Sequence, residues 1–99
     1  MLDKLMEMKK RMEETKNRLD TISVIGEADN GNVKVHMSGN RKVTAVTIAP
    51  SLVADGDAEQ LEDLLQVAIN RALEQAERVN ESEMRSVAGG LIPGMPGLF

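Results

Sequence analysis

The sequence predicts an α+β domain with the element order α-β-β-β-α, and three observations predict it. Apolar residues recur at alternating spacings of four and three from Met1 to Ile22. The period falls to two between Ser23 and Ile48, and a second helical stripe starts after Asp57. A chain of 99 residues is one domain.

The first helix spans residues 1–22. Met1, Leu5, Met8, Met12, Thr15, Leu19 and Ile22 form a coiled-coil type of seam, with Thr15 as its polar interruption. Residues 23–28 read as the first strand. Asp29-Asn30-Gly31-Asn32 reads as a hairpin turn, because Asn-Gly tolerates the positive φ that a tight hairpin needs. Residues 33–38 form the second strand, in which Val33, Val35 and Met37 alternate with Lys34, His36 and Ser38. Gly39-Asn40 makes the next turn. Residues 42–48 form a β-branched third strand that is apolar or Thr on both faces, completing a three-stranded antiparallel meander. Pro50 cannot donate to a ladder, so Ala49 to Val53 closes the sheet.

Asp57 and Gln60 stand at capping spacing, and the second helix spans residues 57–87. Its apolar set of Leu61, Leu64, Leu65, Ala68, Ile69, Ala72, Leu73, Ala76 and Val79 is wide at the start and thins toward the end. Gly89-Gly90 is expected to stop it. Residues 1–90 thus make the domain, and 91–99 an apolar Gly/Pro tail. In that tail Leu91, Ile92, Met95, Leu98 and Phe99 accompany two Pro and two Gly.

Composition narrows the function classes. The chain has no Cys, Trp or Tyr and one Phe, while Ala and Met supply much of its apolar content. The absence of Cys excludes a disulfide framework, the usual zinc finger and thiol catalysis. No apolar run approaches membrane-spanning length, and the charged N-terminus has no signal-peptide h-region, so a cytoplasmic location is expected. No phosphate-binding loop, zinc-protease or serine-hydrolase motif occurs. His36 is the sole imidazole and lies on the polar side of a strand. Neither an enzyme, a cofactor, a metal nor a small-molecule substrate is expected.

A core without aromatics lacks the side chains that bury roughly 150–250 Å² each. The expected remedy is a second copy of the chain, or apolar residues spread along helical seams, and a three-stranded sheet with Val and Ile on both sides needs further cover. Antiparallel pairing of the two helices would bring Met1 and Met84 together at a tip about 30 Å from the sheet. The dimer would then carry two helical arms on a shared β core.

Gly26-Glu-Ala-Asp-Asn-Gly31, Val33-Lys-Val35, Gly39, Val43 to Ile48, Pro50-Ser-Leu52, Leu61-Glu-Asp-Leu-Leu65, Ala68, Asn70 and Ala72 together resemble the YbaB/EbfC family of bacterial nucleoid-associated proteins. The resemblance covers nearly the whole chain. It implies a tweezer-like α-β-β-β-α homodimer whose helical arms contact double-stranded DNA in the nucleoid. Ala49 stands where the family often has Asp before the Pro, and the first helix is richer in Lys and Glu than its Gln-rich relatives.

Charge alone argues against DNA. The net charge is −4. Residues 51–99 carry three Arg against nine acids, whereas residues 1–20 carry six basic and five acidic groups. Lys4, Arg11 and Arg18 recur every seven residues, as do Lys9 and Lys16, and Arg71, Arg78 and Arg85, so each set forms a stripe. Flanking cations of a coiled coil ordinarily pair with Glu, and antiparallel pairing would bring Lys9 and Lys16 toward Glu77 and Glu74. Toward the tip, Lys4, Lys9, Lys10, Arg11, Arg78 and Arg85 are expected to converge and to bind phosphate. Such contacts carry no sequence information, and no aromatic is available in the folded region for base stacking. The alternative reading of the same arms and tail is a prefoldin-like chaperone or a protein–protein adaptor.

Overall fold

The computed structural model describes the backbone of residues 2–91 and the side chains of residues 2–87. The element order is α1 (Leu2–Thr21), β1 (Ser23–Ala28), β2 (Val33–Ser38), β3 (Val43–Ile48), α2 (Pro50–Ala54) and α3 (Ala58–Leu91). The strands form one antiparallel sheet in the order β1-β2-β3. Asn30 and Gly31 both have positive φ in the first hairpin, whose turn closes with Asn32 N–H donating to Asp29 O at 3.1 Å.

Two elements depart from the sequence expectation. Ala49 to Val53 is not merely a sheet terminator, because residues 50–54 form the helix α2 with Pro50 in its first turn. A missing N–H costs nothing there, and the fixed φ of Pro already suits a helix. Leu52 of this turn is buried in the core. Nor does Gly89-Gly90 stop the last helix, which runs to Leu91. Beyond Leu91 the expected tail lies outside the described residues.

The core lies between α3 and one face of the sheet. Val33, Val35 and Met37 of β2 are 0%, 0% and 3% exposed and meet Ala68, Ala72 and Ala76, each fully buried. Each such Val is worth about 1.5–3 kcal/mol relative to leaving it in water. The alanines recur every four residues, so α3 presents a smooth stripe. Gly26 of β1 offers no side chain beneath it. Helix and sheet therefore approach closely, and the core has little room for an aromatic. Arg71 Nη1 and Gln75 Nε2 then donate to Glu27 O and Ile25 O of β1, both at 2.7 Å.

Because the first two thirds of α3 are spent on the sheet, the helix pairing differs from the one expected. Arg18 pairs with Glu83 at 2.6 Å, so α1 meets only the end of α3, and Glu74 and Glu77 lie back toward the sheet. The seam is buried at Thr15 and Leu19 and open at Leu5 and Met12. With this register, α1 extends about 12 Å past the last described turn of α3, which leaves Leu2 and Met6 exposed as well. The molecule measures 61 × 24 × 16 Å.

Candidate nucleic-acid interface

The arm is built on a junction of three elements. Gly39 N–H, in the β2–β3 turn, donates to Leu19 O and Ile22 O at 3.0 Å, joining Ile22 N–H on Leu19 O at the end of α1. Asn40 Nδ2 donates to Lys16 O at 2.8 Å and to Asp20 Oδ1 at 2.5 Å. Asn80 Nδ2 of α3 donates to Gly39 O at 3.1 Å. A Cβ on Gly39 would stand 2.8 Å from Leu19 Cδ2, so this close seating needs glycine. The turn is thereby fixed against both helices.

Its last residue is Arg41, whose φ of 64° lies in the left-handed region. Arg41 N–H donates to Ser38 O at 2.9 Å and Ser38 N–H to Lys42 O at 2.8 Å, the pattern of a three-residue hairpin loop. Gly is the low-energy residue at that position, and any other L-residue costs about 1–2 kcal/mol.

The two flanks of the arm differ in charge. On the flank that faces the turn, a cleft of about 490 Å³ opens between α1, the turn and α3. Lys9, Lys16 and Arg41 line it with Glu13 as the one acid, over a floor of Leu5, Met8, Met12 and Met84. None of these three cations has an ion pair among the described residues. On the other flank, Arg18 is bound to Glu83, Arg11 is bound to Glu7 at 2.8 Å, and Glu14 lies alongside.

The six cations expected at one tip are not brought together there. Lys4, Lys9, Lys10 and Arg11 occupy the outer part of α1. The Arg18–Glu83 pairing sets Arg85 opposite the Lys16 turn of α1, toward its base, and Arg78 just past the end of α1. Arg85 approaches Glu81 at 3.9 Å. Lys4, Lys9, Lys10 and Arg78 have no ion pair among the described residues. Lys16, weighed in the sequence only as a Glu partner, and Arg41, not weighed at all, line the cleft instead. The signal for Arg41 was available in its place after Gly39-Asn40, where a hairpin loop of this length ordinarily carries Gly.

No group of His, Cys, Asp or Glu among the described residues is arranged to hold a metal ion. No described helix is long and apolar enough to cross a membrane.

Residues 1–91 match the YbaB/EbfC DNA-binding family. A nucleoid-associated protein of Flavobacterium johnsoniae is 41% identical over 99% of this chain and 91% of its own length. Another, from Alkaliphilus metalliredigens, is 36% identical over 100% of this chain and 85% of its own length. In fold, the chain is similar to the uncharacterized protein HP0035 from Helicobacter pylori, with a TM-score of 0.78 and 21% identity, covering 86% of this chain and 89% of that one. A match that runs through α1, the sheet and α3 alike leaves one conclusion: the chain belongs to the YbaB/EbfC DNA-binding family.

Proposed function

We propose that the protein binds duplex DNA as a nucleoid-associated homodimer, with low or modest sequence specificity, through cations on its helical arms. The observation that carries this reading is the family match over residues 1–91, joined by relatives called nucleoid-associated proteins. The arm supports it. Lys4, Lys9, Lys10 and Arg78 have no ion pair among the described residues. Arg11 and Arg85 are tied only by exposed contacts to Glu7 and Glu81, each a turn away, and such contacts are worth a few tenths of a kcal/mol. Contacts that weak leave Arg11 and Arg85 available to phosphate. The role is one of binding and not of catalysis, at the nucleoid, and architectural or regulatory in consequence.

The exposed side of β3 supports the dimer. Val46 and Val43 stand opposite Val35 and Met37, on the sheet face that α3 covers over β1 and β2, yet they are 47% and 50% exposed. A second copy seated on this edge would cover them and set two arms on one base.

A salt titration of duplex binding tests the DNA reading. Binding at low salt should weaken as salt rises, with a logarithmic slope of about −0.9 for each phosphate neutralised. Absence of binding at low salt, or binding indifferent to salt, would refute it. The exposed Leu2, Leu5 and Met6 favour a second reading, a prefoldin-like grip on unfolded proteins. That reading requires the protein to suppress aggregation of an unfolded client, and it fails if no suppression is seen.

A further inference from the structure

The cleft between α1 and the β2–β3 turn has features that the packing of the fold does not require. Lys9, Lys16 and Arg41 converge on it from two elements, with Glu13 as the one acid in its lining and Asp20 held by Asn40 beside it. No ion pair equivalent to Glu83–Arg18 and Glu7–Arg11 on the opposite flank occurs here among the described residues. Arg41 sits at a left-handed position that glycine would fill at lower energy. Nothing in the core gains from that choice, because Arg41 is exposed and makes no side-chain hydrogen bond or ion pair with a described residue. Asn40, one residue earlier, ties the turn to the carbonyl of Lys16, so the backbones that carry the two cations are held together.

Resting on the DNA-binding reading, we propose that this cleft is a site for the DNA backbone, where Arg41, Lys16 and Lys9 bind phosphate oxygens. The hairpin is then part of the interface together with the helical arm, and DNA runs along the turn-facing flank. Arg41 offers a forked set of donors that suits two oxygens of one phosphate, and the lysines act as point charges on its neighbours. The amide side chains of Asn40 and Asn80 are already occupied by backbone carbonyls and serve to position the turn.

Fluorescence anisotropy of a labelled short duplex of mixed sequence, followed at increasing salt, tests the site in the full chain. The variants are Arg41→Gly and Lys16→Gln, with Lys34→Gln as a control on the sheet face away from α3. Arg41→Gly should melt no lower than the parent, since glycine suits the turn. Each cleft variant should nonetheless bind about tenfold more weakly at about 50 mM salt, with a salt slope flatter by about 0.9 for each phosphate that the variant leaves unneutralised. Lys34→Gln should bind as the parent does. If the parent binds and both cleft variants match its affinity and slope, the cleft is not the site, although the DNA reading stands. A parent that fails to bind at low salt would remove both. Equal binding of polyglutamate, abolished in the same variants, would overturn the proposal in favour of an acidic polypeptide.

Discussion

A Cβ on Gly26 would collide with the carbonyl oxygen of Ala68 and the amide nitrogen of Ala72, and would stand 2.9 Å from the Cβ of Ala72. Two of those three atoms belong to the α3 backbone, so no rotamer change relieves the overlap and the whole helix must lift from the sheet. Gly26→Ala should therefore destabilise the fold by about 3 kcal/mol, the upper end of overpacking penalties, read as a lower denaturant midpoint. Arg41 presents the opposite case. Its backbone is strained and its side chain is not needed by the core, so its replacement by glycine separates binding from stability. Gly26 was visible in the sequence only as a strand member and a part of the family resemblance, and Arg41 was not weighed at all. Their weight comes from what α3 and α1 bring against them.

At the scale of elements, α3 was legible at its start and misread at its end. Asp57 Oδ1 accepts from Gln60 N–H at 3.0 Å, the cap that the Asp-x-x-Gln spacing indicated. Asp57→Ala should cost about 1 kcal/mol, seen as a fall in melting temperature with the fold unchanged. The other end continues through Gly89-Gly90 to Leu91. Intrinsic propensity costs about 1 kcal/mol per Gly, and propensity is a weak prior beside tertiary context. Of the seam expected on α1, Thr15 and Leu19 are buried while Leu5 and Met12 are exposed. Which part of it is buried depended on register, and register follows from how much of α3 the sheet consumes. The helix α2 was missed because Pro50 was read as a break in a ladder, when the same ring suits a helical first turn.

The whole molecule is an elongated arm on a three-stranded base, and one edge of the base is unfinished. In the dimer proposed above, Val46→Glu should leave the isolated chain folded, since Val46 is already 47% exposed there. It should shift the protein from dimer to monomer in sedimentation equilibrium. DNA affinity should fall with it, because each arm alone neutralises half as many phosphates. A variant that stays dimeric would move the interface elsewhere. The net charge of −4 sits easily with this picture. The acids concentrate in the second half of the chain, and those on α3 near the arm neutralise one flank while the turn-facing flank keeps its cations.

Apart from the short helix α2, sequence by itself determined the element order, the antiparallel meander, the first-strand and second-strand periodicity, and the family, since these depend on local spacing and on residues spread along the whole chain. The absence of aromatics before the tail also argued against base stacking. Tertiary structure alone decided which cations share a surface. A stripe repeating every seven residues names the helix flank, but the partner on that flank is set by the docking of α3 through its alanines. That docking, fixed by the missing Cβ of Gly26 and the pinned turn at Gly39, put Glu83 beside Arg18 and Arg41 beside Lys16.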